Sequence, residues 1–263
     1  MSFLTLQKVS HYYFSKTGYM KALEDVQFLV EQGEFISLIG PSGCGKSTVL
    51  SLIAQLMKQT EGDILVDEVP LSKSPVQISY MLQQDYLFPW RTILENVTIG
   101  PKIQGNLDAR QIEKAKELLQ EVGLENVEEK YPDELSGGMR QRAALVRTLM
   151  NDPEILLFDE PFSALDYVTK LHLENLVASL MKTYKKTAIL VTHDLAEAIS
   201  MSDRILLMER SPGRIGKTFA IPEALRKETP FLVRRHEAYQ DIFDKIWHHI
   251  QEAEKVMTNE KNN

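Results

Sequence analysis

Residues 40–47 carry the glycine, lysine and serine pattern of a phosphate-binding loop. The segment reads Gly-Pro-Ser-Gly-Cys-Gly-Lys-Ser and matches G-x-x-x-x-G-K-[ST]. Its glycines let successive backbone N–H groups turn inward around phosphate oxygens, Lys46 reaches the β- and γ-phosphates, and the Ser47 hydroxyl binds Mg²⁺. An apolar run precedes the loop and apolar residues at helical spacing follow it, as this motif requires. The positions expected to bind the nucleotide here are Gly40, Pro41, Ser42, Gly43, Cys44, Gly45, Lys46, Ser47 and Thr48.

Cys44 is the single cysteine of the chain and lies inside this loop. A helix N-terminus and a neighbouring lysine both lower a thiol's pKa, so we expect a reactive thiolate whose alkylation blocks the loop. One cysteine cannot form an intrachain disulfide or a cysteine-based metal site, which fits a reducing compartment.

Two acids follow a second apolar run, Ile155 to Phe158. Asp159 is expected to support Mg²⁺ and Glu160 to polarise the attacking water. A buried strand often ends in surface acids, so this pair alone is weak. The phosphate loop upstream makes the catalytic interpretation the stronger one.

A third feature is the segment Leu135–Arg142, which reads Leu-Ser-Gly-Gly-Met-Arg-Gln-Arg. Ser136 is a candidate N-cap, and the two glycines after it expose backbone donors at the positive end of a helix that runs to Met150. The segment is therefore either a second anion site or an ordinary helix cap without a ligand.

Strand and helix signals alternate along the chain, which predicts an α/β fold. Residues 92–150 interrupt this alternation and are predicted to be mostly helical, with a capping box at Thr92 and Glu95 and a charged helix from Asp108 to Val122. Beyond Pro222 the chain is charged and predicts one amphipathic helix, whose apolar stripe packs on the protein's own core. The expected strands are Phe35–Ile39, Ile64–Val66, Ile78–Leu82, Ile155–Phe158, Ala188–Val191 and Arg204–Met208, and the first expected helix is Lys46–Met57.

Composition bounds the function. The 263 residues are 43% hydrophobic and 25% charged, as in an ordinary globular protein, and predict one compact unit with a subdomain or extension. A net charge of −7 argues against nucleic acid as a partner. No apolar stretch approaches the roughly 20 residues of a bilayer crossing, so we expect a cytoplasmic chain that meets a membrane only through a partner.

With five motifs in order, the sequence resembles the ATP-binding cassette (ABC) ATPases. The motifs are the phosphate loop 40–47, the signature Leu135–Arg142, the strand with its acids Ile155–Glu160, the D-loop Ser163–Asp166, and Thr192-His193-Asp194. The resemblance implies a P-loop NTPase (RecA-like) α/β core with an antiparallel β subdomain in residues 1–84 and 152–221. It further implies an inserted α-helical signature subdomain in 85–151, followed by a C-terminal helical extension in 222–263.

The resemblance also implies how the chain uses ATP and Mg²⁺ as cofactors. Two copies would meet head to tail, so that each ATP lies between one phosphate loop and the partner's signature residues. His193 would contact the γ-phosphate, Asp166 would cross the interface, and Tyr13 would stack on adenine, although Tyr12 and Phe14 adjoin it. The signature residues that would face the partner's ATP are Ser136, Gly137, Gly138 and Gln141.

Two neighbouring glutamines compete for one further role. Similar proteins place the relevant glutamine six residues before a proline, and Pro89 selects Gln83 over Gln84. Gln83 would complete the metal and water shell with Ser47 and Asp159. The aromatic stretch that follows, residues 86–90, either lines a groove for a helix of a membrane partner or packs inside the helical subdomain.

The stretch through Pro89-Trp90 and the short tail resemble the nitrate, sulfonate and taurine type of importer ATPase. The implied partners are a second copy, integral membrane permease subunits and, indirectly, an extracytoplasmic substrate-binding protein, with this chain peripheral on the inner face of the cell membrane. The alternative is a soluble ABC-type ATPase of an assembly complex such as iron–sulfur cluster biogenesis. A small-molecule P-loop kinase would leave Leu135–Arg142 and His193 unexplained.

Overall fold

The strands of the chain form two separate sheets in a computed structural model, which describes residues 2–210 and 212–260. The structure does not describe residues 1, 211 and 261–263, which fall within the core and extension ranges predicted above. The strands are β1 (Ser2–Ser15), β2 (Gly18–Glu31), β3 (Phe35–Ile39), β4 (Glu61–Val66), β5 (Val69–Pro70), β6 (Ile78–Met81), β7 (Ile155–Asp159), β8 (Thr187–Val191), β9 (Arg204–Glu209) and β10 (Arg214–Ala220).

Helices cover the sheets and fill the segment between β6 and β7. They are α1 (Lys46–Ile53), α2 (Ile93–Val97), α3 (Ile99–Ile103), α4 (Ala109–Glu121), α5 (Gly137–Leu149), α6 (Tyr167–Thr183), α7 (Leu195–Met201), α8 (Glu223–Arg226), α9 (Pro230–Val233) and α10 (Ala238–Glu260). Short 3₁₀ turns occupy Leu71–Lys73 and Pro132–Glu134. Within residues 2–210 and 212–260, no helix combines the length and the apolarity that a bilayer crossing needs.

The larger sheet carries the strands that lead into the candidate site. Its order is β10-β9-β3-β8-β7-β6, and every pair in it is parallel except the antiparallel β9–β10 edge. Each residue of β3 and β8 is buried, which explains why these strands appear in the sequence as continuous apolar runs. The carboxyl ends of the parallel strands meet at one edge, so the loops after β3, β6, β7 and β8 converge there.

The smaller sheet is antiparallel, in the order β2-β1-β4-β5. An apolar cluster that includes Leu6, Val26 and Ile64 joins it to α1 and to one face of the larger sheet. The long β1–β2 hairpin extends past this cluster and carries Tyr13 opposite Met20. The smaller sheet thereby places Tyr13 above the phosphate loop.

The predicted helical segment 92–150 is confirmed, since α2 to α5 occupy it. The Thr92–Glu95 capping box is present, with the Glu95 N–H donating to Thr92 Oγ1 at 3.3 Å and the Thr92 N–H donating to Glu95 Oε2 at 3.1 Å. Asp108 caps α4 as predicted. Two boundaries were wrong. The first helix ends at Ile53 rather than Met57, because Gln55 adopts a left-handed conformation with φ +57°. Strand β4 begins at Glu61, three residues before the predicted Ile64.

The C-terminal stripe packs on the protein's own core, as predicted. Ile242 and Ile246 of α10 are buried with α7 and β9 residues in one apolar cluster. Two short helices, α8 and α9, precede α10 and were not anticipated, because Pro222 and Pro230 divide the segment into turns too short for a helical period.

Candidate functional site

The phosphate loop joins β3 to α1 and has the backbone that its glycines were expected to provide. Gly45 sits at φ +97° immediately before α1, and a Cβ there would lie 2.5 Å from Leu23 Cδ2. A Cβ on Gly40 would lie 2.5 Å from the Met208 carbonyl oxygen. These glycines are therefore required by packing against β2 and β9 as well as by backbone conformation.

Lys46 folds back over the loop that carries it. Its Nζ donates to the Gly40 carbonyl at 2.7 Å and to the Pro41 carbonyl at 3.1 Å, and the residue is buried. A charged ammonium held by two carbonyls at the mouth of the loop is placed to exchange them for phosphate oxygens. Arg210 further braces the loop by donating from Nε to the Ser42 carbonyl at 2.9 Å.

The expectation of a reactive Cys44 thiolate was wrong. The side chain is fully buried in the apolar cluster between the sheets, and its Sγ lies 3.8 Å from Lys46 Nζ. Burial raises the pKa of the Cys44 thiol above its ordinary value, and the nearby Lys46 offsets this only in part. Burial is the larger effect here, and the sequence neighbours of Cys44 give no sign of it.

Asp159 receives a hydrogen bond on each carboxylate oxygen. Ser47 Oγ donates to Oδ1 at 3.1 Å, so the expected metal pair is brought together. The Tyr80 hydroxyl donates to Oδ2 at 2.8 Å from the adjacent strand β6. Burial and the charge of Asp159 raise the pKa of Tyr80, which therefore remains a protonated donor at neutral pH.

Glu160 and His193 face each other across the ends of β7 and β8. The Glu160 Oε2 lies 3.2 Å from His193 Nδ1, and the imidazole is 64% exposed. Glu160 adopts a left-handed backbone with φ +48°, and its N–H donates to the Val191 carbonyl at 2.9 Å. A strained backbone at a carboxylate beside a phosphate loop is typical of functional sites.

A cleft of ≈ 690 Å³ opens over the loop and is large enough for a nucleotide. Tyr13 lines it, and the Tyr13 hydroxyl lies 3.2 Å from Thr48 Oγ1 at the start of α1. Tyr12 points to the opposite face of the hairpin, against Lys21 and Tyr19. Met20 also lines the cleft and was missed, because only the strand register places it opposite Tyr13.

Gln83 lies beside the site without touching Asp159 in this structure. Its Nε2 donates to Ser163 Oγ at 3.1 Å, at the start of the D-loop. Gln141 is buried and turns inward, donating from Nε2 to the Pro161 carbonyl at 2.7 Å. These two amides connect the turn after β7 to Gln83, two residues beyond β6, and to α5.

The signature and the D-loop each begin a helix. Ser136 caps α5 by accepting from the Met139 N–H at 3.3 Å, and Asp166 caps α6 by accepting from the Val168 and Thr169 N–H groups. A Cβ on Gly138 would lie 2.5 Å from Thr169 Cγ2, so close packing of α5 on α6 requires this glycine. Hydrogen bonds from the Thr169 side chain and from the Thr169 and Val168 N–H groups lower the pKa of Asp166.

The donor set around the loop suits Mg²⁺. In the described part of the chain, no three His, Cys, Asp or Glu side chains form a metal-binding cluster. Magnesium is commonly held by one or two protein oxygens together with phosphates and water, and Ser47 and Asp159 supply two such oxygens. These residues therefore fit a nucleotide-bound magnesium better than a metal held by the protein alone.

A mostly parallel sheet with a phosphate loop at its edge, and a carboxylate hydrogen-bonded to the loop serine, defines a P-loop NTPase. The ABC transporter family model matches residues 23–163, and the chain belongs to this family. It is an ATP-binding, ATP-hydrolysing ABC subunit, which confirms the resemblance and the fold class drawn from the sequence.

Similar proteins span most of the chain. The ABC transporter ATP-binding protein YtlC of Bacillus subtilis is 51% identical over 98% of this chain and 100% of its own length. The aliphatic sulfonates import ATP-binding protein SsuB of Bacillus cereus is 37% identical over 97% of this chain and 98% of its own. The taurine import ATP-binding protein TauB of Roseobacter denitrificans is 37% identical over 86% of this chain and 88% of its own.

A solved structure matches the fold. A dimeric post-hydrolysis state of the ATP-binding cassette MJ0796 bound to ADP and Pi superposes with a TM-score of 0.74 at 32% identity, covering 83% of this chain and 99% of that one.

Proposed function

We propose that this chain powers a membrane importer for a small solute and that ATP closes a head-to-tail dimer of two copies. The named importers SsuB and TauB support the transport class, and the dimeric MJ0796 cassette supports the assembly. The observation that carries the proposal is a loop of exposed aromatic residues fixed directly to the signature helix. This loop is the aromatic stretch of residues 86–90 considered above.

The loop is held by hydrogen bonds and exposes its aromatic side chains. Trp90 is 70% exposed and Tyr86 57%, which favours the groove interpretation over packing inside the helical subdomain. Asn96 is fully buried and holds the loop from inside, accepting from the Phe88 N–H at 2.7 Å and donating to the Phe88 carbonyl at 3.1 Å. Exposed aromatic side chains on a hydrogen-bonded loop are typical anchors for a protein partner.

The signature helix α5 is joined to this loop by two arginines. Arg140 Nε lies 3.0 Å from Asp85 Oδ2, and Arg147 Nη1 donates to the Tyr86 carbonyl at 2.7 Å. A displacement of α5 on dimer closure would therefore move the loop with it. We propose that permease subunits bind here and receive that motion, with residues 85–151 as the signature subdomain, 1–84 and 152–221 as the nucleotide-binding core, and 222–263 as the extension.

Within one subunit, the cleft orients ATP for attack by water. Tyr13 stacks on adenine, and the loop N–H groups with Lys46 hold the phosphates. Ser47 and Asp159, completed by Gln83, would hold Mg²⁺, and the bound ion would neutralise phosphate charge. Glu160 orients and deprotonates the attacking water, and His193, held 3.2 Å from Glu160, contacts the γ-phosphate.

Across the dimer, Ser136, Gly137 and Gly138 offer the α5 N-terminus to the partner's ATP, and Asp166 reaches toward the interface. The inward turn of Gln141 supports a different role from the one expected. Because it holds the Pro161 carbonyl, we propose that it links the signature helix to the turn after Glu160 and does not itself contact the partner's ATP.

The test is to express the chain with the membrane proteins encoded beside it and to identify what purifies with it. We expect polytopic permease subunits at the inner face of the cell membrane, served by an extracytoplasmic solute-binding protein. Trp90→Ala should abolish copurification and leave the ATPase activity of the isolated chain intact. Trp247→Ala removes a tryptophan that is 47% exposed on α10 and serves as the matched control.

Copurification with a soluble assembly complex and no membrane protein would overturn the importer proposal. The iron–sulfur assembly alternative is not favoured, because SsuB and TauB are named as import proteins.

A further inference from the structure

A network of charged side chains links the C-terminal extension to the loop that carries His193. Lys170, one turn into α6, lies 2.6 Å from Asp194 Oδ2 and 2.5 Å from Glu197 Oε1. Glu197 in turn accepts from the Thr192 hydroxyl, and Thr192 Oγ1 accepts from the Asp194 N–H at 3.0 Å. Lys170 therefore holds Asp194 directly and Thr192 through Glu197, and these two residues flank His193 in the sequence.

The same lysine connects two catalytic loops. Asp166, the D-loop residue that caps α6, precedes Lys170 by one turn, so the lysine fastens the His193 loop to the D-loop helix. Burial alone would lower the pKa of Lys170, but its hydrogen bonds to Asp194 and Glu197 raise it, so the ammonium stays charged. Its side chain is only 17% exposed, which shields these contacts from water and salt.

Glu174 lies one further turn along α6, on the same face as Lys170. Its side chain is 0% exposed, and its ion-pair partner is Arg234, which follows α9 in the C-terminal extension, with Nη1 2.6 Å from Oε2. The alignment is poor: neither carboxylate oxygen of Glu174 has a hydrogen-bond partner among the described residues. Burial raises the pKa of the Glu174 carboxyl, and the charge of Arg234 opposes this shift, with a smaller contribution from Lys170.

These contacts create a competition for one ammonium group. Residues four apart on a helix are neighbours, so without Arg234 the buried Glu174 carboxylate is an alternative partner for Lys170. We propose that Lys170 is a positioning residue for His193 and that Arg234 keeps it there by neutralising Glu174. The inference rests on the proposed role of His193 in ATP hydrolysis and gives the C-terminal extension a part in that reaction.

The experiment measures kcat and KM for ATP in the full chain, with each rate divided by the ATP-binding stoichiometry from calorimetry so that only folded protein counts. Lys170→Met should lower kcat about 10-fold or more with KM changed by less than about twofold, because the defect lies in the hydrolytic geometry. Arg234→Met should lower kcat in the same way, and Arg234→Lys should retain it. Arg235→Met, on an exposed neighbour, is the matched control.

Two double variants decide between positioning and mere stabilisation. Arg234→Met with Glu174→Gln removes the competing charge, so kcat should return to within about twofold of wild type. In a Lys170→Met background, Arg234→Met should lower the melting temperature without lowering kcat further. Independent multiplication of the two kcat losses, or failure of Glu174→Gln to restore kcat, would overturn the inference.

His193→Ala separates this inference from the proposed function. If that variant hydrolyses ATP at the wild-type rate, the proposed role of His193 fails, and the inference fails with it. If it is slow while Arg234→Met and Lys170→Met keep the wild-type kcat, the catalytic assignment stands and the network is only structural.

Discussion

The Tyr80 hydroxyl lies 2.8 Å from Oδ2 of Asp159, on the oxygen opposite to the one that Ser47 holds. Tyr80 comes from β6 and Asp159 from the end of β7, so the contact bridges two neighbouring parallel strands. A carboxylate held at both oxygens has little freedom to rotate, which fixes it for metal binding. We therefore expect Tyr80 to act on the proposed magnesium site through Asp159.

Replacing Tyr80 by Phe should weaken Mg²⁺ binding and leave the fold intact. Loss of a hydrogen-bond partner to a metal ligand costs about 10-fold or more in metal affinity. We expect the half-saturating Mg²⁺ concentration for ATPase activity to rise by that factor, while ATP binding in EDTA is unchanged. Manganese titration followed by electron paramagnetic resonance checks the affinity independently of turnover. Tyr19→Phe, at an exposed hairpin residue, should behave as wild type.

The site could be predicted as far as its contiguous motifs reach. Segment 40–47 and the acids after Phe158 each follow a buried strand, and parallel strands bring their carboxyl ends together, so Ser47 and Asp159 meet as expected. The buried strands themselves were visible as apolar runs. The sequence shows each motif as a local pattern, and the parallel sheet brings the separate motifs close together.

Contacts between side chains from different elements could not be predicted. Tyr80 lies in an apolar strand and gives no sign of Asp159 until the register of β6 on β7 is known. Arg234 and Glu174 are 60 positions apart in the numbering and lie among many other charges. Cys44 shows this limit most plainly: its neighbours in the sequence indicated a reactive thiol, but burial of the side chain raises the pKa of that thiol.

Glu160→Gln should bind ATP and hydrolyse it very slowly. The amide keeps the size of the side chain and removes the carboxylate that orients and deprotonates water. We expect kcat to fall by about 10²-fold or more, since general base catalysis contributes roughly 10²–10⁴. Phosphate release measures the rate, and calorimetry measures the retained affinity. A wild-type rate of hydrolysis would contradict the assignment of Glu160 as the general base.

The same Glu160→Gln variant should accumulate an ATP-bound dimer, because the exit by hydrolysis is closed and a negative charge near the γ-phosphate is gone. Light scattering with Mg·ATP reports the mass. Adding Ser136→Arg places a bulky charge at the α5 N-terminus and should restore the monomer. A dimer that persists in the double variant would contradict the head-to-tail arrangement.

Lys46→Ala should lose ATP affinity. Its ammonium lies within the loop, held by the Gly40 and Pro41 carbonyls. The substitution removes this positive charge, so the phosphates of ATP would lose their contact with it. Hydrogen bonds to charged groups contribute roughly 1.5–3 kcal/mol each, which predicts a loss of about 10- to 100-fold or more. Calorimetry compares it with Lys16→Ala on the exposed hairpin turn, which should bind normally. An unchanged affinity of Lys46→Ala for ATP would contradict the assignment of residues 40–47 as the phosphate loop.

Cys44 should resist alkylation in the folded protein. Burial raises the pKa of its thiol, so at pH 8 the reactive thiolate fraction falls below that of a free cysteine, and the reagent also lacks access. We expect iodoacetamide to label the chain in urea within minutes and the native chain far more slowly. Mg·ATP should alter native labelling only through stability. Rapid native labelling that ATP blocks would show that the thiol faces the loop after all.

Gly138→Ala should destabilise the junction of α5 and α6, because the new methyl group would lie 2.5 Å from Thr169 Cγ2. Overpacking of this kind costs roughly 1–3 kcal/mol, measurable by urea unfolding. Thr169→Ser deletes that methyl and keeps the hydroxyl, so the double variant should recover most of the loss, with Thr169→Ser alone as control. Unchanged stability in Gly138→Ala would mean that the helices shift apart at little cost.

The activity of the same double variant tests a different contact of Gly138. A Cβ on the first turn of α5 also narrows the space in which the partner's phosphates would approach the helix N-terminus. The double variant could be stable and bind ATP normally as a monomer, yet hydrolyse ATP slowly. The remaining defect would then lie at the exposed N-terminus of α5, where the proposed dimer places the partner's nucleotide. Full recovery of turnover along with stability would instead confine the role of Gly138 to its packing against Thr169.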